Sequence, residues 1–211
     1  MREEQAREAL VRHGLSLFAR GYSCGTSGNL SVRLANGGYL MTPTNISLGC
    51  LEPAGLSTLD ADGVHLDGPS PTKEAWLHMA MYGSRPGDAA VVHLHSTYAT
   101  ALSCLSDRPA DDVLPAMTPY VVMRVGRVAR VPYTRPGDRA ASATISALAI
   151  AHRALLLANH GPVVSGPTLD AAVAAAEELE ETAKLFFVLG DRPHQLLSTE
   201  QVEELRRVFG S

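Results

Sequence analysis

Cysteine is scarce in this chain. Cys24, Cys50 and Cys104 are an odd set with no Cys-x-x-Cys spacing, which excludes a disulfide framework and a zinc ribbon and leaves reduced, structural thiols. No stretch of about 18 apolar residues runs free of charge, so no segment reads as a membrane span. The start, Met1-Arg2-Glu3-Glu4-Gln5-Ala6-Arg7, lacks the apolar core of a signal peptide, and the expected location is the cytoplasm. Basic clusters are missing too. The net charge of -4 argues against nucleic acid as the main partner, while a local pocket holding Lys73, Arg124 or Arg127 can still bind a small anion. No repeat, low-complexity tract or linker divides the 211 residues, so one domain spanning 1–211 is expected.

What is present is an ordinary globular composition: 45% hydrophobic and 19% charged residues with a mean hydropathy of +0.02, enough to build a sizeable core. Helical periodicity marks residues 3–20, ending at Gly21. Short β segments at 30–34 and 39–42 flank the turn Asn36-Gly37-Gly38, and segments at 56–60 and 64–66 form a second hairpin. A helix is predicted from Lys73 to Gly83, capped by Thr72, with Leu77, Ala80 and Met81 turned inward. A histidine-bearing strand over 91–95 and a helix over 96–105 follow. Tyr120–Val125 and Arg127–Val131 read as strands, 137–152 as a helix and 154–165 as a strand pair. A long amphipathic helix over 168–189 carries the pair Glu180/Lys184. Strands interleaved with helices predict a three-layer α/β/α sandwich, and the hairpins make its central sheet mixed and largely antiparallel.

The chemistry concentrates in Val91-Val92-His93-Leu94-His95, because residues i and i+2 of a strand share a face. A single histidine is more often a packed or surface residue than a ligand, and His13, His65, His78, His152 and His194 are read that way. The His-x-His pair differs, since His160 ends another apolar run beside Gly161, and three such nitrogens suit a catalytic zinc. Three loops can aim backbone N–H groups at an anion: Gly25-Thr26-Ser27-Gly28-Asn29, Thr42-Pro43-Thr44-Asn45 and Ser70-Pro71-Thr72-Lys73. Each alone is a common turn, but together they suggest a phosphate cradle, with Lys73 adding a full positive charge at a helix start. Glu74 beside them reads either as a solvated first-turn carboxylate or as a fourth ligand or proton-transfer base.

These motifs, Gly25-Thr26-Ser27-Gly28-Asn29-Leu30-Ser31, Met41-Thr42-Pro43-Thr44, Lys73-Glu74, Val92-His93-Leu94-His95 and Asn159-His160-Gly161, occur in an order that resembles the class II aldolase/adducin family over nearly the whole chain. The resemblance implies a class II aldolase-like α/β/α subunit of a homotetramer, with active sites at subunit interfaces. It implies that His93, His95 and His160 bind zinc or another divalent metal such as manganese or cobalt, and that Glu74 is an acid/base within reach of that metal. Phosphate-binding positions carry over to Gly28, Asn29, Thr44, Asn45, Thr72 and Lys73. Asn45 replaces a glycine and Lys73 a serine of the aldolase pattern, which marks an altered recipient pocket. Tyr120 resembles a tyrosine that a neighbouring subunit lends as a proton donor, although a packed aromatic fits its local sequence equally well.

Longer segments, Pro71-Thr72-Lys73-Glu74-Ala75, His93-Leu94-His95-Ser96-Thr97 and Thr118-Pro119-Tyr120-Val121-Val122-Met123-Arg124 among them, are similar to the 3-oxo-tetronate 4-phosphate decarboxylases of four-carbon sugar-acid breakdown. The activity so implied is loss of CO2 from a small phosphorylated sugar acid to give dihydroxyacetone phosphate through a metal-bound enediolate. A sugar-phosphate aldolase is the alternative. A non-catalytic adducin-like scaffold is disfavoured because all three histidines and Glu74 are present.

Overall fold

The computed structural model of the chain describes residues 2–135 and 137–209; Met1, Pro136, Gly210 and Ser211 of the expected 1–211 domain lie outside that description. Helix α1 (Glu3–Ala19) forms where its periodicity predicts: Glu3 and Glu4 sit in the first turn against the positive end of the dipole, and Leu10, Gly14 and Leu17 bury one stripe. Strands β1 (Asn29–Arg33) and β2 (Tyr39–Met41) form the first hairpin, and β3 (Ser57–Leu59) and β4 (His65–Asp67) the second. After α2 (Ala75–Ser84), β5 (Ala90–His93) joins the open edge of β1. Then come α3 (Thr97–Ser103), β6 (Val128–Val131), α4 (Ser142–Ala149), β7 (Ala154–Leu157), β8 (Gly161–Gly166) and α5 (Leu169–Leu189). Among the described residues, eight strands lie in the order β4-β3-β2-β1-β5-β8-β7-β6, and only the β6–β7 pair is parallel. The mixed, largely antiparallel sheet is as expected.

Alternation along the strands feeds two cores. Val91, Leu155 and Val163 enter the layer with Leu77, Met81 and Ile145 of α2 and α4, whereas Val92, Leu156 and Val164 enter the layer with Leu10, Leu102 and Leu179 of α1, α3 and α5. Helices therefore cover both sheet faces, which is why β7 reads as the unbroken apolar run Ala154-Leu155-Leu156-Leu157. Truncating one of these fully buried leucines to alanine costs about 2–5 kcal/mol. Among the described residues, no helix is long and apolar enough to cross a membrane.

Several boundaries differ from the sequence reading. Val121–Val125, expected as a strand from Tyr120, is a π-helical turn closed by Gly126 N donating to Val121 O at 2.9 Å. Its buried residues Val121, Val122 and Val125 have the spacing of one helical face, a pattern masked by their β-branching. Thr72 does not cap α2, because Glu74 occupies the capping position. Thr72 instead braces the preceding turn, its Oγ1 accepting from Glu74 N at 3.3 Å and its N–H donating to Thr42 O at 3.1 Å. The helix expected over 137–152 is the shorter α4, preceded by a 3-10 turn at Arg139–Ala141. Glu180 does not pair with Lys184. Its buried carboxylate accepts from Tyr98 N at 2.8 Å and Ala99 N at 2.7 Å, at the positive end of α3, and Lys184 faces Glu181 instead. Helix α6 (Thr199–Phe209) was not foreseen, although Ser198-x-x-Gln201 is a capping box: Ser198 N donates to Gln201 Oε1 at 2.9 Å and Gln201 N to Ser198 Oγ at 3.3 Å.

Candidate metal centre and substrate pocket

Strands β5 and β7 both run antiparallel to β8, so their C-terminal ends reach the same edge of the sheet. His93 is the last residue of β5, His95 lies just beyond it in the connection to α3, and His160 sits in the tight turn between β7 and β8. The expected side-by-side projection from one strand is thus replaced by three ligands drawn from a strand end and two loops. Gly161 sets the approach of the second loop, because a Cβ there would lie 2.3 Å from Leu94 O. Glu74 arrives from the start of α2, and Asn29 enters from β1, where it pairs in register with His93.

The four side chains converge. His95 Nε2 lies 3.2 Å from His93 Nε2 and 3.0 Å from His160 Nε2, and the Glu74 carboxylate lies 3.2 Å from His93 Nε2 and 3.3 Å from His160 Nε2. His93 Nδ1 donates to Pro162 O at 2.9 Å, which fixes the tautomer and leaves the Nε2 lone pair facing the others. Burial, reinforced by the neighbouring imidazoles, lowers the pKa of His95 to about 4, and burial likewise lowers that of His160. Burial pushes the Glu74 carboxyl upward, but His93, Asn29 and His160 outweigh it and hold the group well below the usual carboxylate range.

These contacts at 3.0–3.3 Å cannot all be hydrogen bonds at once, since the proton of His93 is on Nδ1 and its bare Nε2 then meets the Glu74 carboxylate acceptor to acceptor. A divalent cation does satisfy them: tetrahedral metal–nitrogen bonds of about 2.0–2.1 Å place ligand atoms roughly 3.3 Å apart. The donor set fits a divalent metal, and Glu74, His93, His95 and His160 are the residues that would hold it.

In front of this cluster opens a cavity of about 670 Å³. Of the residues singled out in the sequence, Gly28, Asn29, Thr44, Asn45, Thr72, Lys73, Glu74, His95 and His160 all line it, while His93 lies buried behind them. The second and third cradle loops are tied together, Thr44 N donating to Ser70 O at 3.0 Å and Thr72 N to Thr42 O at 3.1 Å. Main-chain hydrogen bonds therefore hold the two loops in one arrangement. Lys73 is exposed and, among the described residues, makes no ion pair. Tyr120 is not brought into this cavity: it is 54% exposed on the π-helical turn, with the Arg124 guanidinium stacked 5.0 Å from its ring centroid.

The sequence reading missed Tyr133 and Thr134, which line the same cavity. Their place follows from β6, whose parallel pairing with β7 carries its C-terminal end to the histidine edge, and the sequence alone carries no signal for that pairing. It also treated His78 as merely structural. His78 is fully buried, with Nε2 2.5 Å from Asn29 Oδ1 and Nδ1 2.7 Å from Ser31 Oγ, and Asn29 in turn donates to Glu74 Oε2 at 2.9 Å.

Residues 8–187 match the family described as Class II Aldolase and Adducin N-terminal domain. The chain is 50% identical over 204 residues to the 3-oxo-tetronate 4-phosphate decarboxylase of Escherichia coli K12, covering 97% of this chain and 96% of that protein. The crystal structure of YgbL from Klebsiella pneumoniae superposes with a TM-score of 0.95 at 48% identity, covering 98% of this chain and 100% of the other. An L-fuculose 1-phosphate aldolase structure gives a TM-score of 0.88 at 27% identity, covering 98% and 97% of the two chains.

Proposed function

Since the chain belongs to the class II aldolase and adducin family, we propose that it is a carbon–carbon lyase that decarboxylates 3-oxo-tetronate 4-phosphate to dihydroxyacetone phosphate, with 1–211 acting as one domain. The observation that carries this reading is a single cavity lined both by the cluster of metal-binding donors and by the loops of the candidate anion cradle with Lys73. That layout suits a short substrate with a phosphate at one end and a reacting carbon near the other. The choice of decarboxylation over retro-aldol cleavage follows the near full-length likeness to the Escherichia coli decarboxylase.

In this reading Gly28, Asn29, Thr44, Asn45 and Thr72 hold the phosphate through backbone and side-chain donors, and Lys73 neutralises it. Lys73 must hold the phosphate and not the carboxylate, because a charge that leaves in the transition state gains nothing from being held in place. His93, His95, His160 and Glu74 hold zinc, or manganese or cobalt in its place; when bound, the metal supplies a Lewis acid for the ketone beside the breaking bond. The reaction takes up one proton, at the carbon that loses CO2. Glu74 is ionised at rest, so it first accepts the proton of the hydroxyl on that carbon. It then delivers this proton to the carbon itself, and solvent restores the hydroxyl. Tyr120 is the second candidate donor. It is exposed and does not line its own cavity, so it serves only in a homotetramer that presents it to a neighbour's site.

The test is an assay of the zinc-loaded protein with 3-oxo-tetronate 4-phosphate, following CO2 and dihydroxyacetone phosphate with and without EDTA. Chelator-sensitive release of both products is expected. Cleavage of a ketose 1-phosphate without CO2 would assign the protein to the aldolases, a reading that the shared fold of the L-fuculose 1-phosphate aldolase and the 35% identity to an Escherichia coli L-fuculose phosphate aldolase also support.

A further inference from the structure

We propose that His78 is a positioning residue that fixes which way the Asn29 amide points, so that Asn29 offers N–H groups, and not its carbonyl, to Glu74 and to the anion bound in the cavity. Along α2, Glu74, His78 and Tyr82 recur every four residues and so share one helix face, with a spacing of about 6 Å. Along β1, Asn29 and Ser31 share one strand face with a spacing of about 6.6 Å. The two faces pack in step and make one chain of contacts: Tyr82 OH to Ser31 Oγ at 2.8 Å, Ser31 Oγ to His78 Nδ1 at 2.7 Å, His78 Nε2 to Asn29 Oδ1 at 2.5 Å, and Asn29 Nδ2 to Glu74 Oε2 at 2.9 Å.

The chain has one self-consistent direction, held at one end by Glu74 and at the other by the His78 imidazole. A carboxylate only accepts, so the Asn29 nitrogen must face it and the Asn29 oxygen must face His78. His78 must then carry its proton on Nε2, and its bare Nδ1 accepts from the Ser31 hydroxyl, which accepts from the Tyr82 hydroxyl. Reversing the imidazole would present a bare nitrogen to the Asn29 oxygen, and the amide would turn over. Its carbonyl would then confront Glu74. Asn29 also lines the cavity, so the same turn would remove an N–H from the side where a phosphate enters. The buried imidazole thus sets the polarity of an amide that borders two anions at once.

This inference rests on the proposed reading for its kinetic arm only. The experiment combines the zinc-loaded wild type with His78→Gln, whose amide can still donate toward Asn29, and His78→Leu, which cannot. By 15N NMR, wild-type His78 is expected to be protonated at Nε2 and bare at Nδ1. Zinc affinity, by competition with a chelator, and kcat are expected to fall roughly ten- to a hundredfold in the leucine variant, the usual effect of losing a partner behind a ligand, and to recover most of that loss in the glutamine variant. A proton found on Nδ1, or equal zinc affinity and kcat in the two variants, would overturn the proposal. If the leucine variant does not fold, the tautomer and the glutamine variant decide. If no CO2 is released from 3-oxo-tetronate 4-phosphate, the tautomer and zinc affinity still read His78, so failure of the proposed activity is seen separately.

Discussion

The two ends of β5 carry polar clusters of opposite kinds. At its start, buried Asp88 accepts from Arg85 Nε at 2.5 Å and from Ser165 Oγ at 2.5 Å, while Arg85 also donates to Ala149 O at 3.2 Å. At its finish, three imidazole nitrogens and a carboxylate face one another, and the bare Nε2 of His93 meets the Glu74 carboxylate with no proton between them. The first cluster is closed, since donors meet acceptors and the charges cancel. The second leaves acceptors facing each other, an arrangement that a divalent cation would satisfy. Burial and hydrogen-bonding residue types are common to both, so what separates a structural cluster from a binding one is whether its members satisfy each other.

The sharpest way to break the contrast is to remove one open-end ligand. His95→Ala should abolish stoichiometric zinc binding, measured by atomic absorption, and lower turnover by more than the roughly hundredfold typical of residues behind a ligand. Glu74→Gln keeps the shape but loses the proton carrier, and kcat is expected to drop about 10²–10⁴-fold. Lys73→Met should raise KM about tenfold, equivalent to about 1.4 kcal/mol, with a smaller change in kcat, read from initial rates. At the closed end, Asp88→Ala should leave kcat of the zinc-loaded enzyme within about twofold yet cost about 1–3 kcal/mol of stability by orphaning Arg85 and Ser165, visible as a lower Tm.

The smallest effect is a pH dependence. Burial depresses the pKa of His78 from its ordinary value of 6.5 to about 3, so below pH 6.5 the unfolded chain takes up a proton that the folded one refuses. Stability contributed by keeping His78 neutral is complete above that value and is lost progressively as pH falls toward about 3. Thermal melts of the metal-free protein from pH 7 to pH 5 should show a falling Tm, with a shallower slope in His78→Gln.

Much of this was legible in the sequence because the determinants are local. Gly37 and Gly63, both at positive φ, mark hairpin turns, and helical spacing marks α1 and α5. His93, His95 and His160 were recognisable since two share a strand end and the third abuts a glycine. What was not legible depends on partners distant in sequence. Glu180 looked like one half of an exposed i,i+4 pair, and only the packing of α3 on α5 shows it bonded to Tyr98 N and Ala99 N. His78 looked like any core histidine because Asn29, its partner across the layer, lies 49 positions away. Tyr133 needed the strand order, which residue periodicity does not encode.

Gly161 carries one more consequence. With a Cβ excluded 2.3 Å from Leu94 O, the turn that bears His160 lies directly against the backbone between His93 and His95. The bite of the metal clamp is therefore gauged by main chain and not by the reach of its side chains. A single methyl there would push the turn bearing His160 away from the His93–His95 segment, so an attempt to re-tune the proposed metal site for a larger cation should begin at a residue with no donor atom of its own.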